Sequence, residues 1–271
     1  MNALHMTNDV QQQIHELADT AQLLWERGWA ESNAGNISID ISGMLKPTGS
    51  GNKRSPRRAL TREYPELANA QFLVTGTGTR MRDVATQPKA TLTIIEVIED
   101  GAAYSILQGD AGNGNLLPTS ELATHLAIYQ DRRKQGNAVN AIVHTHPTEI
   151  IALTHFSELL NEQLLNTTLW KIHPEAMIAN PAGIGLIPYI LTGTEALAQA
   201  TVSSLRHHPA AVWEKHGCIA ATETVSKAFD LIDVANKAAQ IYLLCRNAGI
   251  VPTGLTDEQL EELRHTFGSA L

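Results

Sequence analysis

Seven stretches of the chain carry a pattern of hydrophobic and polar positions that predicts β-strands. They are residues 37–41, 72–74, 92–98, 102–107, 141–146, 176–179 and 211–220. The first of these alternates apolar and polar residues, as a strand with one buried face does. Asp100-Gly101 stands between the third and fourth stretches, and this dipeptide predicts a hairpin.

Apolar residues that recur at intervals of three and four predict helices elsewhere. The predicted helices are 9–28, 121–129, 148–156, 193–207, 230–248 and 257–267. The first helix is expected to be capped by Asp9, the second by either Thr119 or Ser120, and the fourth by Thr194. Residues 43–62 are rich in Gly, Ser, Pro and basic residues, which predicts a surface excursion with solvated charges. The sequence lacks repeats and Pro/Ser-rich linkers, so residues 1–271 are expected to form one domain.

Composition narrows the class of protein. The chain has 271 residues, of which 43% are hydrophobic and 18% charged, and these values are typical of a globular protein. Its formal net charge of −8 argues against a nucleic-acid partner but not against a small phosphorylated substrate. The chain has two cysteines, and neither is part of a CxxC motif. The sequence also lacks an apolar signal core and any apolar run of ~18 residues. We therefore expect a cytoplasmic protein without a membrane span.

Two histidines end the apolar run 141–146. Side chains alternate along a strand, so His144 and His146 point to one face, about 7 Å apart along the backbone, and Thr145 points to the other. Pro147 ends the strand and leaves the pair at its carboxyl end. Two imidazoles on one face suit two positions of a tetrahedral metal site. The alternative is a pair of unrelated histidines on a buried strand.

A third histidine, His216, ends the apolar part of 211–220, and Gly217 removes side-chain bulk beside it. Three histidines would complete the ligand set of a catalytic zinc site with one open position. Taken alone, a histidine in this setting more often has a structural role.

Three segments have the composition of an anion site. The loop Thr75-Gly76-Thr77-Gly78 resembles a phosphate cradle, because glycine lets backbone N–H groups approach and threonine adds hydroxyl donors. Thr119 and Ser120 precede a helix whose N-terminus favours anions. Asn33-Ala34-Gly35-Asn36 offers amide donors but is also ordinary turn chemistry. The sequence contains neither a nucleotide P-loop nor a GxGxxG motif, so these segments favour a phosphomonoester over a nucleotide.

These motifs occur in an order that resembles one known family. Five motifs follow one another as in the class II aldolase/epimerase and adducin-head family. They are Asn33 to Asn36, Thr75 to Gly78, Thr119-Ser120-Glu121, His144-Thr145-His146 and His216-Gly217. The resemblance covers nearly the whole chain, except for residues 43–62. It implies an α/β fold: a three-layer α/β/α sandwich with a mixed, mainly antiparallel central sheet.

The resemblance also implies roles for individual residues. It makes His144, His146 and His216 the ligands of a zinc ion and Glu121 the catalytic glutamate. It makes Glu175 a second acidic residue that enters the site of a neighbouring subunit, in a homotetramer. The residues that match the phosphate-binding region are Asn33, Asn36, Thr75, Gly76, Thr77, Thr119 and Ser120.

The implied reaction is the retro-aldol cleavage of a ketose 1-phosphate. Within the family, the chain most resembles the branch that converts L-rhamnulose 1-phosphate to dihydroxyacetone phosphate and L-lactaldehyde. Breaking the C3–C4 bond leaves an enediolate, whose negative charge a zinc ion with neutral ligands can stabilise without a Schiff-base lysine. Glu121 is expected to transfer the proton at C3, and Glu175 to assist at the C4 hydroxyl.

Rival functions come from the same family. Aldolases of L-fuculose 1-phosphate share the motifs, and 4-epimerases acting on L-ribulose 5-phosphate carry aspartate where this chain has Glu121. A dehydratase branch acts on methylthioribulose phosphate. A non-catalytic module like the adducin head would share the fold, but the intact set of three histidines and Glu121 argues against it.

Overall fold

The computed structural model describes residues 7–45, 56–109, 116–137 and 139–267. The helices within these ranges are α1 Asn8–Glu26, α2 Met81–Thr86, α3 Pro88–Thr91, α4 Leu122–Lys134, α5 Thr148–Leu153, α6 Glu162–Ile172, α7 Pro174–Ala179, α8 Glu195–Leu205, α9 Val225–Asn247 and α10 Asp257–Phe267. The strands are β1 Asn36–Asp40, β2 Arg58–Ala59, β3 Gln71–Thr75, β4 Leu92–Ile98, β5 Ala103–Gly109, β6 Ala141–Thr145, β7 Ile184–Ile187, β8 Ala210–Trp213 and β9 Gly217–Thr222.

All of these strands belong to one sheet, in the order β2-β5-β4-β3-β1-β6-β9-β8-β7. Neighbouring strands are antiparallel except for the parallel pair β7 and β8. Alternate residues of the central strands face opposite sides: Val143 of β6 packs with α1 and α9, whereas Ile142 packs with α4 and α8. Helices therefore cover both faces, which confirms the expected three layers and the mixed, mainly antiparallel sheet.

Most predicted elements are present, with shifted ends. The hairpin at Asp100-Gly101 joins β4 to β5, and α10 has the predicted bounds. Helix α1 is capped by Thr7, whose hydroxyl accepts a hydrogen bond from the Val10 N–H, and not by Asp9. Thr194 caps α8 as predicted. Helix α4 begins at Leu122, so Glu121 occupies the N-cap position and not the first turn.

Two strand predictions are wrong. Residues 176–179 belong to helix α7, because Pro174 suits the first position of a helix and a short apolar run has no decisive period. Residues 211–220 form two strands, β8 and β9, joined by a three-residue turn in which Lys215 has a φ of 60°. His216 therefore lies in a hairpin turn and not on a strand.

Some elements had no counterpart among the predictions, namely α2, α3, α6, β2 and β7. Strand β2 lies within the predicted excursion 43–62 and pairs with β5 at the edge of the sheet. The core of that excursion, residues 46–55, falls outside the described residues. No helix in the part of the chain that the structure describes combines the length and apolar character needed to cross a lipid bilayer.

Candidate metal and substrate site

The ends of three central strands bring the predicted site residues to one edge of the sheet. Asn36, at the start of β1, pairs with His144 near the end of β6. Thr145 pairs with Cys218 near the start of β9. The β8–β9 hairpin closes where Trp213 pairs with Gly217, and this pairing places His216 over the same edge. Residues from distant parts of the chain thus meet because antiparallel neighbours share an end.

His144, His146 and His216 converge as the sequence predicted. Their ring centroids are 5.0–5.2 Å apart, and the rings are inclined to one another by 66–71°. One nitrogen from each ring lies within 4.8 Å of the others. Thr145 points to the opposite face, where its hydroxyl donates to the Trp29 carbonyl oxygen at 2.7 Å.

Hydrogen bonds orient two of the three rings. The Nδ1–H of His144 donates to the Cys218 carbonyl oxygen at 2.8 Å, and Nδ1–H of His146 donates to Glu31 Oε1 at 2.7 Å. Both rings therefore keep Nε2 free as a lone-pair donor. The Nδ1 of His216 is buried without a hydrogen-bond partner among the described residues.

Burial keeps His144 and His216 neutral. Desolvation, together with the neighbouring histidines, lowers the pKa of His144 to about 3 and the pKa of His216 to about 4. Metals bind the neutral form of imidazole, so the protonation state near pH 7 is the ligating one. Three converging imidazole nitrogens, two rings oriented by hydrogen bonds and one unsatisfied buried nitrogen fit a divalent metal ion.

Gly217 and Trp213 pack the histidines. A Cβ atom on Gly217 would lie 2.6 Å from the Thr145 carbonyl oxygen and 2.8 Å from Cδ2 of His146, so only glycine fits at this position. The Trp213 ring packs against His144 and His216 with ring centroids 4.5 and 5.0 Å apart and ring planes inclined by 36° and 35°. Its indole N–H donates to the Thr201 hydroxyl at 3.0 Å, which fixes the indole plane.

Glu121 lies beside the histidine cluster. Its Oε2 is 3.8 Å from Nε2 of His144 and accepts a hydrogen bond of 2.9 Å from Nδ2 of Asn36. The carboxylate is therefore within reach of a ligand bound at the cluster. A carboxylate held next to a metal-binding position is suited to proton transfer.

A cavity of about 150 Å³ opens in front of the histidines and Glu121. It is lined by Asn33, Ala34, Gly35, Asn36, Gly76, Thr77, Gly78, Thr119, Ser120, Glu121, His144, His146 and His216. Asn33, Thr77 and Ser120 are exposed, so their polar groups are accessible from the cavity. Thr119 is buried, and its hydroxyl accepts from the Glu121 N–H at 3.3 Å.

Two predicted site residues do not line this cavity. Thr75 is buried, and its hydroxyl bonds to the N–H and the carbonyl oxygen of Ile37 on β1. Glu175 lies on α7 with a side chain that is 63% exposed, and its carboxylate is 3.1 Å from Nδ1 of His173. Thr75 thus joins β3 to β1 in this structure, and Glu175 lies outside the cavity of its own chain.

Sequence reasoning missed several residues that hold the site together. Glu31, Trp213 and His125 contact site residues, yet the sequence assigned them no role. His125 follows Glu121 by four positions on one helix face, and this spacing is the one signal that could have pointed to it. The partners of Glu31 and Trp213 are known only from the tertiary structure.

Comparison with known proteins gives the family. A profile of the class II aldolase and adducin N-terminal domain family matches residues 15–243. The chain belongs to this family. A rhamnulose-1-phosphate aldolase from Bacteroides thetaiotaomicron is 36% identical over 94% of this chain and 94% of its own length. A rhamnulose-1-phosphate aldolase from Listeria monocytogenes is 33% identical over 97% of this chain and 96% of its own length.

A solved structure agrees with this placement among the class II aldolases. The crystal structure of a sugar-phosphate aldolase from Thermotoga maritima superposes with a TM-score of 0.78. Its sequence is 32% identical, and the match covers 91% of this chain and all of that one. The class II aldolase fold inferred from the sequence is therefore confirmed.

Proposed function

We propose that this class II aldolase is a zinc enzyme that cleaves L-rhamnulose 1-phosphate to dihydroxyacetone phosphate and L-lactaldehyde. The observation that carries the proposal is the meeting of three imidazole nitrogens and the Glu121 carboxylate at one cavity. Relatives that share this fold over nearly the whole chain bear the name rhamnulose-1-phosphate aldolase, which supports the choice of substrate.

His144, His146 and His216 are the proposed zinc ligands. Zinc prefers nitrogen ligands in tetrahedral geometry, and three protein ligands leave one position for substrate. When bound, the ion supplies a Lewis acid for the oxygens next to the bond that breaks. The Glu31 carboxylate and the Cys218 carbonyl oxygen keep His146 and His144 in the tautomer that has a free Nε2.

Glu121 is the proposed general acid/base. After the C3–C4 bond breaks, C3 must receive a proton to give dihydroxyacetone phosphate, and in synthesis the same proton must leave. The Glu121 carboxyl group is placed next to the histidine cluster, where C3 would lie, and Asn36 holds one of its oxygens. The other carboxyl oxygen is then available for the proton transfer at C3.

The loop side of the cavity is the proposed phosphate site. Asn33, Thr77 and Ser120 offer an amide and two hydroxyls. Gly76 lines the same wall but is buried, and its N–H donates to the Thr91 carbonyl oxygen at 2.8 Å. Asn36 and Thr119 line the same wall but also hold Glu121, and Thr75 supports the wall from behind. Phosphate binding would hold the reacting carbons in place by using binding energy remote from them.

Glu175 is proposed to act across a subunit boundary in a homotetramer. Its exposed carboxylate lies outside the cavity of its own chain, as a group serving a neighbouring site would. Light scattering should give the mass of four chains. Mixing inactive Glu121→Gln and Glu175→Gln subunits should restore part of the activity, because some sites would then combine both intact carboxylates; a mixture that stays inactive would refute the shared site.

The decisive experiment is a product assay with a panel of sugar phosphates on zinc-loaded protein. We expect dihydroxyacetone phosphate to form fastest from L-rhamnulose 1-phosphate and slower from L-fuculose 1-phosphate. Elemental analysis should find about one zinc per chain. Preference for L-fuculose 1-phosphate, or epimerisation of L-ribulose 5-phosphate without cleavage, would replace the proposed substrate. A folded protein that binds no metal and turns over none of these would be an adducin-like module.

A further inference from the structure

A row of polar side chains runs from Glu121 into the core between the sheet and helix α4. It consists of Asn36 and Ser38 on β1 and His125 and Tyr129 on α4, and we call it the polar row. Each of these four side chains is at most 6% exposed. The surroundings are the apolar residues that α4 packs against the sheet, including Leu126, Ile142 and Phe72. Burying four polar groups in such a layer is costly unless they satisfy one another.

The hydrogen bonds of the polar row have one consistent direction. Glu121 is acceptor-only when ionised, so Asn36 must present Nδ2 to it, at 2.9 Å. The amide oxygen of Asn36 then faces Nε2 of His125 at 2.6 Å, and this nitrogen must carry the proton. The Nδ1 of His125 is left as an acceptor for the Ser38 hydroxyl at 2.6 Å. The Tyr129 hydroxyl, 3.0 Å from Ser38 Oγ, ends the row.

A reversed arrangement would be unfavourable at the carboxylate. If the Asn36 amide turned over, its oxygen would face Glu121 Oε2. With the proton of His125 kept on Nε2, the N–H₂ group of Asn36 would also face a ring N–H. Two acceptors and two donors would then be opposed inside a layer with little water to separate them. Burial also lowers the pKa of His125 to about 4, so the ring is neutral near pH 7 and has a single N–H to place.

We propose that His125 is a positioning residue: its Nε2–H fixes the amide orientation of Asn36, which in turn holds the Glu121 carboxylate beside His144. His125 does not line the cavity, so it acts on the reaction only through these two side chains. The effect on catalysis rests on the proposed function, whereas the proton position on His125 does not.

The first test compares two substitutions of His125. Leucine has no polar group, whereas the amide of glutamine can reach the Nε2 position and donate to Asn36. We expect His125→Leu to lower kcat by roughly 10- to 100-fold, the usual cost of losing such a supporting partner, with KM and zinc content near normal. His125→Gln should recover most of that loss. Equal and full activity of both variants would overturn the proposal.

A matched control separates positioning from stability. Asn236 on α9 is also a buried amide with two side-chain hydrogen bonds, to the Ile150 N–H and to Glu149, on the opposite face of the sheet. Asn236→Leu should lower thermal stability without changing kcat. If it lowered kcat as much as His125→Leu at equal loss of stability, the effect of His125 would be structural only.

The second test needs no activity. Neutron diffraction from deuterium-exchanged crystals of the unaltered protein should show deuterium on Nε2 of His125 and none on Nδ1. Deuterium on Nδ1 would overturn the proposal even if His125→Leu failed to fold. If the unaltered protein cleaved none of the sugar phosphates but carried the proton on Nε2, the proposed function would fail while the assigned orientation stood.

Discussion

The histidine side and the loop side of the cavity are built differently. His144 lies on a strand that is paired on both sides, and its Nδ1–H donates to a backbone carbonyl oxygen. His216 lies in the tight turn between β8 and β9, and the Trp213 indole packs against both rings. On the loop side, Asn33, Thr77 and Ser120 are exposed and lie on turns between elements. The part proposed to bind the metal is thus held by contacts within the chain, whereas the part proposed to bind phosphate presents exposed side chains on turns. Substitutions on the two sides should therefore fail in different ways.

The largest effect is expected from His216→Ala. Removal of one of three nitrogen donors should abolish stoichiometric zinc binding and reduce cleavage by at least roughly 1,000-fold, because the Lewis acid is lost with the ligand. Elemental analysis and the product assay measure the two losses. Full activity of this variant without zinc would show that the three histidines do not hold a metal ion that the reaction needs.

Glu121→Gln should have the next largest effect. The variant keeps the size of the side chain but cannot transfer a proton, so kcat should fall by about 10²- to 10⁴-fold. Zinc content and the binding of inorganic phosphate should stay unchanged, which distinguishes this loss from that of His216→Ala. Near-normal turnover would exclude Glu121 from the mechanism.

Acid should weaken the histidine side when the metal is removed. The pKa values of His144, His216 and His125 are about 3, 4 and 4 in the folded chain, against an ordinary value of about 6.5 when unfolded. Between these values the unfolded chain binds more protons, so stability falls as pH drops below about 6.5 and stops falling on their account near 3.

Urea unfolding of chelator-treated protein at several pH values measures this loss. His125 alone should contribute roughly 3 kcal/mol by pH 4. The His125→Gln variant provides the control, since its stability should depend less steeply on pH over the same interval. Identical slopes for the two proteins would show that His125 titrates normally in the fold.

Glu31→Ala tests the support of a single ligand. Loss of the acceptor for Nδ1–H of His146 should weaken zinc affinity by roughly 10- to 100-fold, because the ring is no longer held in its ligating tautomer. Competition with a chromogenic chelator gives the affinity. At saturating zinc, kcat should approach that of the unaltered protein; a kcat that stayed low would give Glu31 a role beyond metal binding.

The smallest effect is expected on the loop side. Ser120→Ala removes one proposed phosphate donor, worth about 1 kcal/mol, so KM should rise roughly 5-fold with zinc content unchanged. Thr77→Val is the matching substitution on the opposite loop. If either variant lost zinc, metal binding on the histidine side would depend on the loop side of the cavity.

The central strands and the pairing of His144 with His146 on one face were predictable from sequence because their signals are local. Alternation in 37–41 located β1, and the His-x-His spacing before Pro147 correctly predicted two rings on one face. His216 could be named as the third proposed ligand, but its position in a turn could not be predicted. The turn around Lys215 depends on the pairing of Trp213 with Gly217, which the continuous apolar pattern conceals.

The supporting contacts were out of reach for a different reason. Glu31 and His146 are 115 positions apart, and Asn36 and His125 are 89 apart. The sequence does not show that residues so far apart along the chain are in contact until the order of the strands in the sheet is known. Helix α7 was misassigned because four apolar residues are compatible with either period, and packing against α6 and α9 decides between them.

The position of β6 and β9 in the middle of the sheet has a consequence for how the backbone around the histidines can open. Both strands are hydrogen-bonded on two sides, so the backbone around His144 and Gly217 cannot open without separating the centre of the sheet. Amide protons of these segments should therefore exchange with solvent only through global unfolding. The proposed ligands His144 and His216 should therefore keep their spacing through every smaller fluctuation of the protein.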